Sequence, residues 1–192
     1  KVLAANDRQT ITITVNKESD FGDNEDYFGS VDGAKFKLEF FDMTLNQWVK
    51  AVPNDTSSDD YYSEDDYIIT TVNGTATTYP MKPGMYRLIE VEAPRGHVLS
   101  TILYNGQEVE AGEPFVITAT VENNGAQNFE YIYSVVNTAT KISVQKTSLG
   151  DTKDSIEPLA GATLQLWTVA TEDQDAEMLR EWVSTEEART FY

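Results

Sequence analysis

Polar and apolar residues alternate along much of this chain, and the alternation has the period of strands. Thr10-Ile11-Thr12-Ile13-Thr14-Val15 and Ala34-Lys35-Phe36-Lys37-Leu38-Glu39-Phe40 each place every second side chain on one face. Met85–Val91, Pro114–Val121 and Glu130–Val136 read as strands from their β-branched and aromatic content. Turn residues punctuate these runs at Val31-Asp32-Gly33, Lys82-Pro83-Gly84, Tyr104-Asn105-Gly106 and Asn123-Asn124-Gly125. Asn105-Gly106 sits between two strand-like runs and predicts a tight hairpin. Helical signal is weak. Glu172–Arg180 fits either a short helical turn or a polar hairpin connection, and Asp55–Asp66 reads as an exposed insertion. Many short strands separated by Gly, Pro and Asn turns predict an all-β sandwich.

The pattern also starts twice. Ile13-Thr14-Val15-Asn16-Lys17 is echoed by Ile142-Ser143-Val144-Gln145-Lys146, and Asp32–Leu38 by Ala160–Leu166. Trp48-Val49 and Trp182-Val183 follow the two copies. The expected organisation is an N-terminal linker at 1–9, a complete sandwich at 10–138, and the opening part of a second at 139–192. The absence of a charged-then-apolar leader pattern at the start suggests a mature protein or a fragment.

Charge and chemistry narrow the function classes. Acidic residues number 32 against 14 basic, a net charge of −18, which disfavours binding to nucleic acid or to an anionic lipid surface. No run of about 18 apolar residues is present, so no membrane insertion is expected. The chain has no cysteine and one histidine, His97, which leaves little to build a catalytic triad, a disulfide framework or a zinc site. No cofactor is expected. The metal candidates are Asp20, Asp23 and Asp26 in an acidic run, but their spacing is not that of an EF-hand loop and a solvated loop is the simpler reading. A secreted protein without disulfides needs another staple to resist force and proteases.

Four pieces in order carry a resemblance. They are the opening strand ending in Lys17, then Gly33–Leu38, then Pro83-Gly84-Met85-Tyr86-Arg87-Leu88-Ile89-Glu90-Val91-Glu92-Ala93-Pro94-Arg95-Gly96-His97, and the closing Ser134-Val135-Val136-Asn137. The chain resembles the Cna B-type (prealbumin-like) repeats of Gram-positive surface adhesins and pilins. The long third piece is the most specific, and His97 departs from it where the family has tyrosine, a change expected to affect packing rather than chemistry. Residues 140–192 match the family's opening half.

The resemblance implies a prealbumin-like, inverse Ig-like β-sandwich whose first and last strands lie side by side. It also implies an autocatalytic isopeptide bond between Lys17 and Asn137, with Glu90 as the proton shuttle. Such chemistry needs a dry core. Lysine in water is protonated near pH 7, and burial lowers its pKa while raising that of a carboxylic acid. Lys146 is the equivalent lysine of the second module and is expected to be unreacted within this chain. The implied function is a structural stalk or shaft module of a cell-wall-anchored adhesin or pilin outside a Gram-positive bacterium, with neighbouring repeats as partners. It is not an enzyme in the multiple-turnover sense. Two alternatives stay open. One is a binding module whose end loops, including Tyr61 and Tyr62, recognise a host extracellular-matrix protein or glycan. The other is an accessory domain of a secreted glycan-degrading enzyme.

Overall fold

Strand order follows from which faces the alternation makes apolar. The computed structural model describes residues 9–21, 24–122, 126–149, 156–172 and 174–192, and the predicted Asn123-Asn124-Gly125 turn and Asp23 lie outside them. The chain divides into two compact units, residues 1–20 with 29–139, and residues 21–28 with 140–192.

In the first unit, β1 (Thr10–Glu18), β5 (Thr75–Thr77), β7 (His97–Tyr104), β8 (Gln107–Glu110) and β10 (Asn128–Ala139) form one sheet, in the order β5-β1-β10-β7-β8. The second sheet runs β3 (Gln47–Lys50), β2 (Lys35–Asp42), β6 (Gly84–Glu92) and β9 (Phe115–Ala119), with β4 (Tyr67–Thr70) also paired to β2. The inward residues of both sheets form one core. It includes Ile11, Ile13 and Val15 from β1, Phe36 and Leu38 from β2, Tyr86 and Leu88 from β6, and Ile102 and Tyr104 from β7. This is the prealbumin-like sandwich that the alternation and the resemblance predict. The first and last strands of the unit are neighbours, with β1 parallel to β10 and Lys17 in register with Val135.

The predicted hairpin joins β7 to β8. Asn105 and Gly106 take φ of 48° and 79°, the two positive values that a tight turn matching strand twist requires. The insertion at 55–66 carries a one-turn helix, α1 (Asp59–Tyr62), capped by Ser58. Lys50 Nζ ties it down by donating to the carbonyls of Asp60 and Ser63, each at 2.8 Å.

The second unit repeats the opening of the first. Its strands are β11 (Ile142–Val144), β12 (Thr147–Leu149), β13 (Ile156–Pro158), β14 (Thr163–Trp167), β15 (Met178–Val183) and β16 (Arg189–Phe191). β11 pairs with β16, β12 with β13, and β14 with β15. The hairpin reading of 172–180 is the one realised, since Glu177 bonds back to Thr168 at the end of the β14–β15 ladder.

A hydroxyl clasp fixes how the two units correspond. In the first, the Thr71 hydroxyl accepts from Ala34 N–H at 3.0 Å and donates to the Val31 carbonyl at 2.7 Å. In the second, Ser184 does the same with Ala162 at 3.0 Å and Leu159 at 2.7 Å. Gly33 and Gly161 turn into the clasp with the same φ of 88°. This alignment corrects the tryptophan echo. Trp182 stands opposite Leu164 as Ile69 stands opposite Phe36, whereas Trp48 lies on β3, opposite Phe41. The clasped residues are 37 apart in the first unit and 22 apart in the second, so the first carries 15 more residues here, including β3 and α1.

Candidate functional site

Strand periodicity turns three polar side chains into the core. On β1 the inward series Ile11, Ile13, Val15 continues to Lys17, and on β6 the series Tyr86, Leu88 continues to Glu90. On β10, Val135 is followed two residues later by Asn137. Lys17, Glu90 and Asn137 keep 4%, 2% and 6% of their accessible surface, against the strong tendency of lysine and glutamate to stay exposed.

Each group is held by a neighbour. Lys17 Nζ donates to the carbonyls of Val135 at 3.1 Å and Glu18 at 3.2 Å, which places the amine on β10 two residues before Asn137. Asn137 Nδ2 donates to Glu90 Oε2 at 2.9 Å. Glu90 Oε1, Asn137 Oδ1 and the Tyr104 hydroxyl are buried and make no hydrogen bond to the described residues. Unpaired buried acceptors are costly, so their gathering around one carboxyl bears on its protonation.

Burial sets the protonation balance. It lowers the Lys17 pKa to about 8, against the opposing charges of Glu90, Glu18 and Asp20. It raises the Glu90 pKa to about 7, against the Asn137 amide and the Lys17 charge. Both shifts favour the uncharged forms. His97 is also depressed, chiefly by burial, and the Lys17 charge adds to the effect, so this residue stands in the field of the site as well as packing beside it.

A family model for the SpaA prealbumin-like fold domain matches residues 12–125, more than half of the chain. The chain belongs to this family. That match shows the family in which the Cna B-type, prealbumin-like resemblance placed the chain. No curated protein matches the chain in sequence. Among solved structures, the SpaA-type fold here is similar to the full-length major pilin SpaD of Corynebacterium diphtheriae, with 19% identity over 77% of this chain and a TM-score of 0.41. It is also similar to a streptococcal ancillary pilin, with 16% identity over 96% of this chain and a TM-score of 0.45. A third is the group B streptococcus pilus 2b backbone protein, with 26% identity over 68% and a TM-score of 0.38. The chain spans 34%, 50% and 42% of the length of these proteins.

The remaining candidates of this SpaA-family chain fall elsewhere. Lys146 is half-buried in the second unit, and its amine donates to the Thr147 carbonyl at 2.6 Å, as Lys17 does to that of Glu18. It borders a hollow of about 210 Å³ with Leu164, Trp182 and Arg189, and the buried residues described in this unit are Ser184 and Phe191. Of the acidic run, Asp26 belongs to the second unit, where Arg189 grips its carboxylate with two contacts of 2.7 Å. Asp20 belongs to the first unit. No group of three or more potential ligands is placed to hold a metal among the described residues. Tyr61 and Tyr62 form an edge-on pair at 4.8 Å, and Tyr62 is exposed. Among the described residues no helix is long and apolar enough to cross a membrane.

Sequence reasoning missed Tyr104. It was read as the flank of the Asn105-Gly106 turn, yet it occupies an inward position two residues after Ile102 and is fully buried. The alternation of Ile102 and Tyr104 up to the turn was the available signal.

Proposed function

We propose that the first module closes an amide bond between Lys17 and Asn137, and that the chain serves as a stalk or shaft segment of a surface pilin or adhesin. The observation that carries this reading is the trio of buried polar groups, Lys17 and Asn137 on the paired strands β1 and β10 and Glu90 on β6 of the other sheet, with the Asn137 amide on the Glu90 carboxyl at 2.9 Å.

A protonated Glu90 resolves the unpaired oxygens. An acid and a primary amide pair at two points: the amide N–H donates to one carboxyl oxygen, and the acid O–H donates to the amide carbonyl. Glu90 Oε1 and Asn137 Oδ1 are the two atoms left for that second bond. In this pairing the carbonyl is polarised, and the neutral Lys17 amine attacks Cγ of Asn137. The Cγ–Nζ bond forms and the carbonyl electrons move to Oδ1. Glu90 gives its proton to Nδ2 and takes one from the attacking nitrogen, ending as an acid again. The electrons on Oδ1 re-form the carbonyl as the Cγ–Nδ2 bond breaks and ammonia leaves. Positioning of this kind reaches effective molarities of roughly 10⁵–10⁸ M. Each chain reacts once, so the chemistry builds the fold and does not serve a substrate.

The product ties β1 to β10, neighbours already paired in parallel. Tension entering through β1 then passes directly to the last strand of the module. The proposed setting is the outer surface of a Gram-positive cell, attached to the wall, with modules at 10–138 and 139–192 among further repeats as partners and a linker at 1–9.

Intact-mass spectrometry tests the bond. The expected mass is lower than that of the sequence by one ammonia, and Lys17→Ala or Glu90→Ala restores the full value. An unmodified mass for the folded wild-type chain would rule the bond out. The exposed Tyr61–Tyr62 pair on its anchored loop favours a second reading, recognition of a host protein or glycan. Binding of matrix glycoproteins by the isolated chain, lost on replacing both tyrosines with alanine, would support it.

A further inference from the structure

The bond proposed above leaves one buried polar group without a task. Tyr104 ends β7, opposite Val135 of β10, the residue whose carbonyl holds the Lys17 amine. Its ring lies flat on Phe115, with centroids 4.7 Å apart and planes within 2°. Phe115 opens β9 and pairs with Leu88, so the β6–β9 ladder stops short of Glu90. Tyr104 therefore lies one sheet across from Glu90, between Val135 and the ring of Phe115, near enough for the carboxylate charge to act on its hydroxyl, although no hydrogen bond joins the two here. Burial first, and then that charge, push its pKa upward, so the hydroxyl stays a donor throughout the neutral range.

Tyr104 thus offers an unspent buried donor, and Glu90 Oε1 an unpaired buried acceptor. We propose, resting on the isopeptide reading, that Tyr104 is a positioning residue whose hydroxyl donates to Glu90 Oε1 and keeps Oε2 turned toward the Asn137 amide. In this arrangement Oε1 accepts from the tyrosine hydroxyl, and when Glu90 is an acid it also presents its own proton to Asn137 Oδ1. A hydrogen bond to the ionised carboxylate favours that form, so Tyr104 holds the acid's pKa below what burial alone would set.

Tyr104→Phe keeps the stacked ring and removes only the hydroxyl. Unreacted chain, isolated unfolded and then refolded by dilution, is followed by mass across a pH series for wild type and Y104F. Loss of the donor is expected to move the acid limb of bond formation up by about one pH unit, and to lower the Tm of the unreacted chain above that limb, where the carboxylate has lost its donor. An acid limb that stays where it is in wild type, in a Y104F chain that still loses ammonia, overturns the role of Tyr104 alone. A wild-type chain that keeps its ammonia overturns the reaction and the role together. Should Y104F fail to fold, NMR of Asn137→Ala reads the same contact, because the Tyr104 hydroxyl proton is expected to shift as Glu90 titrates. A hydroxyl resonance indifferent to that titration overturns the proposal.

Discussion

The two units open alike and diverge in what they do with their lysine. In both, a lysine follows the first strand and donates to the carbonyl of the next residue. In both, a buried hydroxyl clasps the turn before the second strand. Yet Lys17 lies under a complete core, while Lys146 borders a hollow. The local frame, then, does not set a lysine's surroundings. For Lys17, strands far along the chain do so, because β6 brings the Glu90 carboxyl and β10 brings the Val135 carbonyl and the Asn137 amide. Opening strands set the position of the amine, and closing strands set its charge.

The largest test of this contrast removes each lysine in turn. Lys17→Ala removes the proposed cross-link, which would span on the order of 100 residues and by loop entropy be worth about 4–5 kcal/mol. For a chain of this size that corresponds to a fall in Tm of roughly 10–20 °C, read by calorimetry of the first module's transition. Lys146→Ala is expected to leave both the loss of one ammonia and that transition unchanged. Equal effects of the two substitutions would erase the distinction.

The second test uses pH. Below about 7 the Lys17–Glu90 pair holds two protons, and the amine is charged and unreactive. Above about 8 the pair holds none, and the acid cannot activate the amide. Between these values one proton is shared, and the reactive arrangement, neutral amine with protonated acid, is the minor tautomer by about tenfold for a one-unit gap. The rate of bond formation on refolding should be bell-shaped, highest between about 7 and about 8, and down roughly a hundredfold two units outside either limb. A rate that climbs steadily to high pH would mean that the amine alone governs the reaction and that Glu90 has no acid role.

Much of this frame is legible in the residues themselves. Period-two alternation gives β1 and β2, β-branched and aromatic content gives β6, the resemblance singles out Lys17 and Glu90, and Asn105-Gly106 gives its hairpin. The rest depends on contacts between distant segments. Trp48 and Trp182 look equivalent by residue type, but the clasp hydroxyls, which carry no pattern in sequence, set a different register. The acidic loop at 20–26 reads as solvated, yet Phe21 stacks on Tyr192 at 4.2 Å and Asp26 binds Arg189, more than 160 residues away. Tyr104 was hidden by its turn, since Tyr-Asn-Gly signals a bend whether or not the tyrosine points into the core.

The clasps offer a smaller and paired test. Thr71 and Ser184 are nearly fully buried, and each serves one N–H and one carbonyl. Thr71→Val and Ser184→Ala should therefore each cost about 1–3 kcal/mol, the penalty for stranding a buried polar pair. The first is read in the unfolding transition of the first unit. The second is read as faster amide hydrogen exchange at Ala162, whose N–H bonds the Ser184 hydroxyl. A neutral outcome at either position would show that the shared turn is held by the strands on either side of it and not by the clasp.

The smallest expected effect is also the most evenly matched. Gly33 and Gly161 both sit at φ of 88°, and a Cβ added at either meets nothing within 4 Å. Alanine there meets no clash, so its cost is that of holding an L-residue in left-handed backbone, about 1 kcal/mol. Gly33→Ala and Gly161→Ala should be alike in size, because the strain is local and independent of what the later strands supply. Chemical denaturation of the first unit and hydrogen exchange at the Gly161 turn measure the two. A markedly larger loss at Gly33 would mean that the completed core presses on its opening turn, so that the turn would no longer be an independent part of the frame.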